Sequence, residues 1–207
     1  MLDNDFITGV ITGFQTMSMW EVVAVILALA YLLLAMKEKI SCWYAAFAST
    51  SIYVFLFWDV NLLMESALQI YYLAMAVYGW WQWREHSNQQ QDLTIHRWTR
   101  QTHLKVLAVL VCLTLFSGYW LQLKTSAALP YLDSFTTWGA VITTYMVTRK
   151  VLENWLYWIV IDGASIYLYI DRGMSLTALL FALYVVIVVF GFFQWNTLYK
   201  QQSLAEK

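Results

Sequence analysis

Apolar stretches alternate along this chain with short clusters of charge, and the alternation predicts seven helices at roughly 19–36, 42–58, 62–83, 104–123, 134–148, 152–170 and 174–195. A transmembrane helix needs about 17–25 mostly apolar residues, and each segment reaches or approaches that length. The second and fifth are short, which packing inside a bundle or snorkelling flanks accommodate. The breaks are Lys37-Glu38-Lys39, Asp59-Val60-Asn61, a polar stretch 84–103, Lys124 to Asp133 with Pro130, Arg149-Lys150 and Asp171-Arg172-Gly173. Residues 1–18 carry no charged helical face and are expected to form an N-terminal external segment.

Cationic residues fix the expected orientation, because short cytoplasmic loops are enriched in Lys and Arg. With the N-terminus outside, Lys37, Lys39, Arg84, Arg97, Arg100, Lys105, Arg149, Lys150, Lys200 and Lys207 fall on the cytoplasmic side, leaving Lys124 and Arg172 outside. Adding or removing a span would scatter these charges over both faces. The expectation is an all-α integral membrane fold of seven helices, N-out and C-in.

Within this pattern Tyr78-Gly79-Trp80-Trp81-Gln82-Trp83 reappears as Phe190-Gly191-Phe192-Phe193-Gln194-Trp195. The same 112-residue offset pairs Trp43 with Trp155, Asp59 with Asp171 and Tyr72 with Tyr184. Such self-similarity predicts two three-helix repeats, 19–83 and 126–195, joined by a polar cytoplasmic loop and linking helix at 84–125 and followed by a cytoplasmic tail, 196–207. Three helices invert the chain, and the linking helix restores its direction. The repeats are then parallel, a 3+1+3 plan with the substrate site between the halves.

Composition agrees with a lipid environment: 61% of residues are hydrophobic and 12% charged, against roughly half apolar in ordinary soluble domains. A net charge of −1, with scattered cations, excludes a nucleic-acid-binding face. The N-terminus has no charged n-region or small-residue cleavage site, so the first span is expected to stay in the mature protein. Cys42 and Cys112 have no metal or disulfide spacing and read as packing residues. His86, His96 and His103 make no metal motif, and with Gln89-Gln90-Gln91 they read as parts of a solvated connector. Neither a cofactor nor a metal is expected.

Charged side chains inside a bilayer are costly and usually face a cavity or a partner. Glu65, Gln69 and Tyr72 share one helical face by their spacing. Asp162 lies mid-span in the sixth predicted helix, with Trp155, Trp158 and Asn154 on its face. Tyr184 joins this candidate substrate-binding set as the partner of Tyr72 in the repeat. Acids interleaved with indoles and phenols suit a flat organic cation. The competing account pairs Asp162 with Ser/Thr hydroxyls, backbone or a cation from a helix end. Trp80, Trp81 and Trp83 read as interfacial anchors, and Glu21 and Asp59 as solvated helix ends.

The run Glu153-Asn154-Trp155-Leu156-Tyr157-Trp158, preceded by Arg149-Lys150, together with Tyr78-Gly79-Trp80-Trp81-Gln82-Trp83, resembles the PnuC family of bacterial vitamin transporters from about Trp20 to Trp195. The resemblance implies a multi-pass inner-membrane facilitator with a plan like that of the SWEET carriers, whose vitamin is trapped by a cytoplasmic kinase. It implies no enzymatic activity, and no GxxxxGK[ST] loop is present. Carriers of nicotinamide riboside in that family generally have Asn where this chain has Asp162, and often another Asn where it reads Ala48-Ser49-Thr50-Ser51. Ala45-Ala46-Phe47 and Glu65-Ser66-Ala67-Leu68-Gln69 look like the thiamine-carrying PnuT subgroup. Thiamine is therefore the expected substrate, with nicotinamide riboside as the alternative. A non-transporting receptor or assembly subunit and an intramembrane enzyme are the rival classes. A homo-oligomer is compatible with this reading.

Overall fold

The computed structural model describes residues 2–59, 63–88, 93–124 and 129–205. The elements named in that range are all α-helices: α1 (Leu2–Thr16), α2 (Met19–Met36), α3 (Cys42–Asp59), α4 (Leu63–Asn88), α5 (Arg100–Lys124), α6 (Pro130–Thr148), α7 (Asn154–Asp171) and α8 (Ser175–Ala205). Helices α2–α8 fall on the seven expected segments. The breaks expected at 60–61 and 125–128, and Gln89-Gln90-Gln91, lie outside the described residues.

Local chemistry explains several boundaries. Ser18 caps α2 by accepting a hydrogen bond from the Glu21 N–H at 3.1 Å, satisfying a donor that the first turn leaves orphaned. Helix α6 begins at Pro130, four residues before the expected start; the fixed φ of proline and its missing donor suit a first helical position. Helices α4 and α8 run past the expected ends at 83 and 195, because their polar last turns remain helical where apolar content has stopped.

Among the described residues three helices are long and apolar enough to cross a membrane: Met19–Met36, Arg100–Lys124 and Ser175–Leu204. Helix α7 is continuous, but the buried polar groups of Asn154, Asp162 and Ser165 lower its apolar character, as a row of threonines does in α6.

The chain forms two compact units. One comprises residues 17–96, 144–152 and 190–207. In it α2 packs on α3 and α3 on α4, with the Ser49 hydroxyl donating to the Ala24 carbonyl at 2.8 Å. Buried Trp43 lies flat enough against α4 that a Cβ on Gly79 would come within 2.4 Å of its ring. Trp43 also meets the edge of Trp83 at 5.3 Å between centroids.

The ends of α2 and α6 in this unit share one geometry. At α2, Glu38 N–H donates to Ala35 O and Lys39 N–H to Leu34 O; at α6, Lys150 N–H donates to Val147 O and Val151 N–H to Met146 O. Both are Schellman endings, which place one residue in the left-handed region. Those residues are Glu38 and Lys150, each at φ 52. Gly173, at φ 70, closes α7 in the same way. A non-glycine residue there costs about 1–3 kcal/mol. Glu38 and Lys150 pair with each other at 2.9 Å across 112 residues of sequence.

Two tryptophans close the unit beside that pair. Trp83 Nε1 donates to the Thr148 carbonyl and Trp195 Nε1 to the Ala35 carbonyl, each at 3.2 Å. Both indoles are buried, so the interfacial-anchor reading fails for Trp83. Trp80 donates to the Tyr44 hydroxyl at 2.8 Å. Only Trp81 of that trio points outward, half exposed.

The connector is not simply solvated. His96 forms a parallel bridge with Val151, giving N–H to Lys150 O and accepting from Leu152 N–H, while Ile95 is buried and its N–H reaches the Gln202 side chain. A short apolar residue between polar ones, Ile95, is what seats the segment.

The other unit comprises residues 1–16, 97–143 and 153–189. Trp138 Nε1 donates to Ser117 Oγ at 3.0 Å, and Tyr131 lies over Gly118, joining α6 to α5. Gly139 admits Ile161, joining α6 to α7. Gly9 and Gly13 of α1 let that helix approach Ser175 and Leu176 at the start of α8. The expected external segment is thus largely a docked helix; two glycines four apart carried the signal. Arg172 pairs with Asp133 at 2.7 Å.

Of the two cysteines, Cys42 is buried as expected, but Cys112 is exposed, because α5 buries little beyond Leu110 and Gly118. At the start of α7, Glu153 receives the Trp98 N–H and lies near Arg97 and His103. His103 also meets the Tyr157 hydroxyl at 3.0 Å.

Candidate substrate site

Helix α7 is built around one inward stripe. Asn154, Trp155, Ile161, Asp162, Ser165 and Leu168 are buried, and Trp158 is half-buried. Their spacing follows the helical repeat, so one face of α7 turns inward. Asp162 is 3% exposed at mid-helix. Gly139 of α6 faces the adjacent Ile161, allowing α6 to pass close to this stretch.

Asp162 has no ion pair among the described residues. The Ser165 hydroxyl, one turn on, donates to the Ile161 carbonyl at 2.9 Å. Among the described residues, then, no ion pair is recorded for the competing account of Asp162. A carboxylate in an apolar span costs at least a few kcal/mol, and intramembrane acids of this kind mark substrate or ion pathways.

Tyr184 approaches α7 through a chain of rings: Tyr169 of α7 meets Phe181 of α8 at 5.0 Å, and Phe181 meets Tyr184 at 5.4 Å. Asp162 and Tyr169 are seven residues apart and share a face. The structure therefore gathers Asn154, Trp155, Trp158, Asp162 and Tyr184 in one unit.

Gln69 and Tyr72 belong to the other unit, half-buried and on one face of α4, with Tyr72 meeting the Tyr71 ring at 5.6 Å. The backbone of Glu65 is in α4; its side chain lies outside the described residues.

Sequence reasoning passed over two sets of buried polar groups. Helix α6 buries Ser134, Thr136, Thr143, Thr144 and Thr148. Thr136 and Thr143 donate back to carbonyls four residues earlier, which allows hydroxyls to enter lipid without a partner helix. The doubled threonines, 136–137 and 143–144, were the available signal. Gln82 is also buried, bonded to the Tyr78 hydroxyl at 2.9 Å and reached by Arg149 at 3.4 Å. Its signal was the repeated Gln before Trp83 and Trp195.

Known sequences match this chain over most of its length. The sequence profile described as nicotinamide mononucleotide transporter covers residues 18–197. The chain belongs to that family. Its relatives include the nicotinamide riboside transporter PnuC of Escherichia coli strain K12, 26% identical, with 88% of this chain and 87% of that one covered. PnuC of Neisseria mucosa is also 26% identical, covering 95% and 79%. The riboflavin/roseoflavin transporter RibM of Streptomyces davaonensis is 22% identical, covering 84% and 83%. A crystal structure of the vitamin B3 transporter PnuC shares the fold with TM-score 0.73 and 23% identity, over 97% of this chain and 90% of that one. Family and apolar helices together make this a multi-pass inner-membrane protein. Helix α1 lies outside the matched residues.

Proposed function

We propose that the protein carries a flat, cationic vitamin across the inner membrane by facilitated diffusion, and that the vitamin is nicotinamide riboside. The buried Asp162 carboxylate beside Trp155 and Trp158 carries this reading. A pyridinium or thiazolium ring would sit against the indoles while the acid offsets its charge in a place where water is scarce.

Charge alone does not separate nicotinamide riboside from thiamine, and the names of the relatives move the assignment away from the thiamine expected from sequence. Two of those named above are nicotinamide riboside transporters and one carries riboflavin or roseoflavin. Thiamine remains the second reading because the family resemblance read from sequence implies Asn in riboside carriers where this chain has the acid Asp162.

Seven spans, N-out and C-in, in a 3+1+3 arrangement complete the proposal. Matching helix ends at Glu38 and Lys150, 112 residues apart, support two repeats, as does the exchange in which Trp83 bonds the end of α6 and Trp195 the end of α2. Transport would proceed by alternating access of the two repeats, with Glu65, Gln69 and Tyr72 as further candidate contacts for the vitamin. No chemistry on the substrate is part of this reading; a cytoplasmic kinase would trap the vitamin after entry.

Titrating purified protein with nicotinamide riboside, thiamine and riboflavin, read by tryptophan fluorescence, tests the substrate. The riboside should bind tightest. Tighter binding of thiamine would restore the second reading, and no response to any of the three would remove vitamin carriage.

A further inference from the structure

Resting on the transporter reading and its N-out topology, we propose that Glu38 and Lys150 form a cytoplasmic latch that must part whenever the carrier opens to that side. The evidence is a coincidence of three observations on one pair. Each residue occupies the single left-handed position closing its helix, a place that the same motif fills with Gly173 at the end of α7. The two charges meet each other at 2.9 Å, and the Lys150 ammonium also lies 4.9 Å from the centre of the Trp83 ring. Their side chains are only 14% and 17% exposed.

A glycine at either position would relieve the backbone, so the strain of a charged side chain there is set against what its head group does. The partial burial suits a switch. A fully exposed pair would hold little, and a fully buried one would be costly to separate. The crossed indole bonds from Trp83 to Thr148 O and from Trp195 to Ala35 O brace the same two helix ends, so parting the charges releases α2 from α6 where both meet the cytoplasm. Because the two backbone positions are alike, the charges should be exchangeable.

Cys42 provides a built-in reporter. It is 0% exposed, and its N–H bonds Lys39 O, one turn beyond the latch. In a Cys112→Ser background it is the remaining cysteine, and a membrane-impermeant maleimide applied from the cytoplasmic side of reconstituted vesicles measures opening. Glu38→Gln and Lys150→Met should each raise the labelling rate on the order of 10-fold, within the range that one coupling interaction supplies. The exchanged double variant, Glu38→Lys with Lys150→Glu, should label much closer to the Cys112→Ser parent than either single variant does, short of it only by the lost contact between the Lys150 ammonium and the Trp83 ring.

Unchanged labelling in both single variants overturns the latch, and so does a double variant that labels like the singles. Should the singles fail to fold by thermal melting, the double variant decides alone: protected Cys42 supports the latch, and a labelled or unfolded double refutes it. Vitamin exchange by the parent protein in the same vesicles is scored separately. Its absence would remove the transporter reading without altering the labelling result.

Discussion

Replacing Gly79 by Ala adds one methyl group in the middle of α4, and the structure says what that methyl meets. Its carbon would lie 2.4 Å from Cη2 and Cζ2 of Trp43 and 2.6 Å from Cε2. Carbon atoms rest about 3.5–4.0 Å apart, so the indole must retreat by roughly 1 Å. It has little room to do so. Trp43 is 2% exposed, with Trp83 against it at 5.3 Å and Tyr31 at 5.9 Å between ring centres. Overpacking of this kind costs about 1–3 kcal/mol, partly offset by the roughly 0.5–1 kcal/mol that Ala gains over Gly inside a helix. The net loss is about 1–2 kcal/mol, a fall of several degrees in melting temperature for a chain of this size. Gly163→Ala in α7 is the matched control, because nothing lies within 4 Å of its added carbon; that variant should melt at or slightly above wild type. The assay is thermal unfolding in one detergent, followed by tryptophan emission. A Gly79→Ala protein as stable as the control would refute the packing argument for the Gly-Trp motif.

Asp162→Leu, which removes the charge together with the polar atoms that Asn would keep, should weaken binding of the cationic vitamin at least about 10-fold, the scale of one hydrogen bond to a charged group; isothermal titration checks both the loss and its restriction to cationic ligands. Trp83→Phe keeps an aromatic ring but loses the pyrrole half of the buried indole and its donor to Thr148 O, and should destabilise by about 2–3 kcal/mol from the lost hydrogen bond and the cavity together, seen as a lower melting temperature. Arg172→Ala breaks an ion pair whose side chains are one-third exposed, and such pairs contribute about 0–1 kcal/mol, so melting should hardly move. A large loss there would mean that the pair does more than the exposed geometry implies.

Where composition and period carried the information, the fold was readable from the chain. The apolar runs located α2 to α8, and the α2 limits were met to the residue because Ser18 and the Lys37-Glu38-Lys39 cluster bound it. Extension of α4 to Asn88 and of α8 to Ala205 was not legible, since hydropathy locates the lipid-compatible part of a helix and is silent on polar turns beyond it. The docking of Ile95 and the inward turn of Trp83 were missed for a related reason: composition alone does not tell an interfacial indole from a packed one. The α7 stripe was legible because 3.6-residue spacing places Trp155, Trp158 and Asp162 on one side whatever surrounds them. The α6 threonines escaped notice because the hydroxyls of Thr136, Thr143 and Thr148 are satisfied within their own helix. The Glu38–Lys150 pair needed coordinates, as no local rule links two charges so distant in sequence.

The most direct test of the account is counterflow in proteoliposomes, with vesicles preloaded with unlabelled nicotinamide riboside and labelled riboside outside. Wild-type protein should draw label inward without ATP or an ion gradient, and Asp162→Leu should do so more slowly. Label that enters no faster than into protein-free vesicles, or equal rates for the two proteins, would contradict a vitamin path built on the buried face of α7.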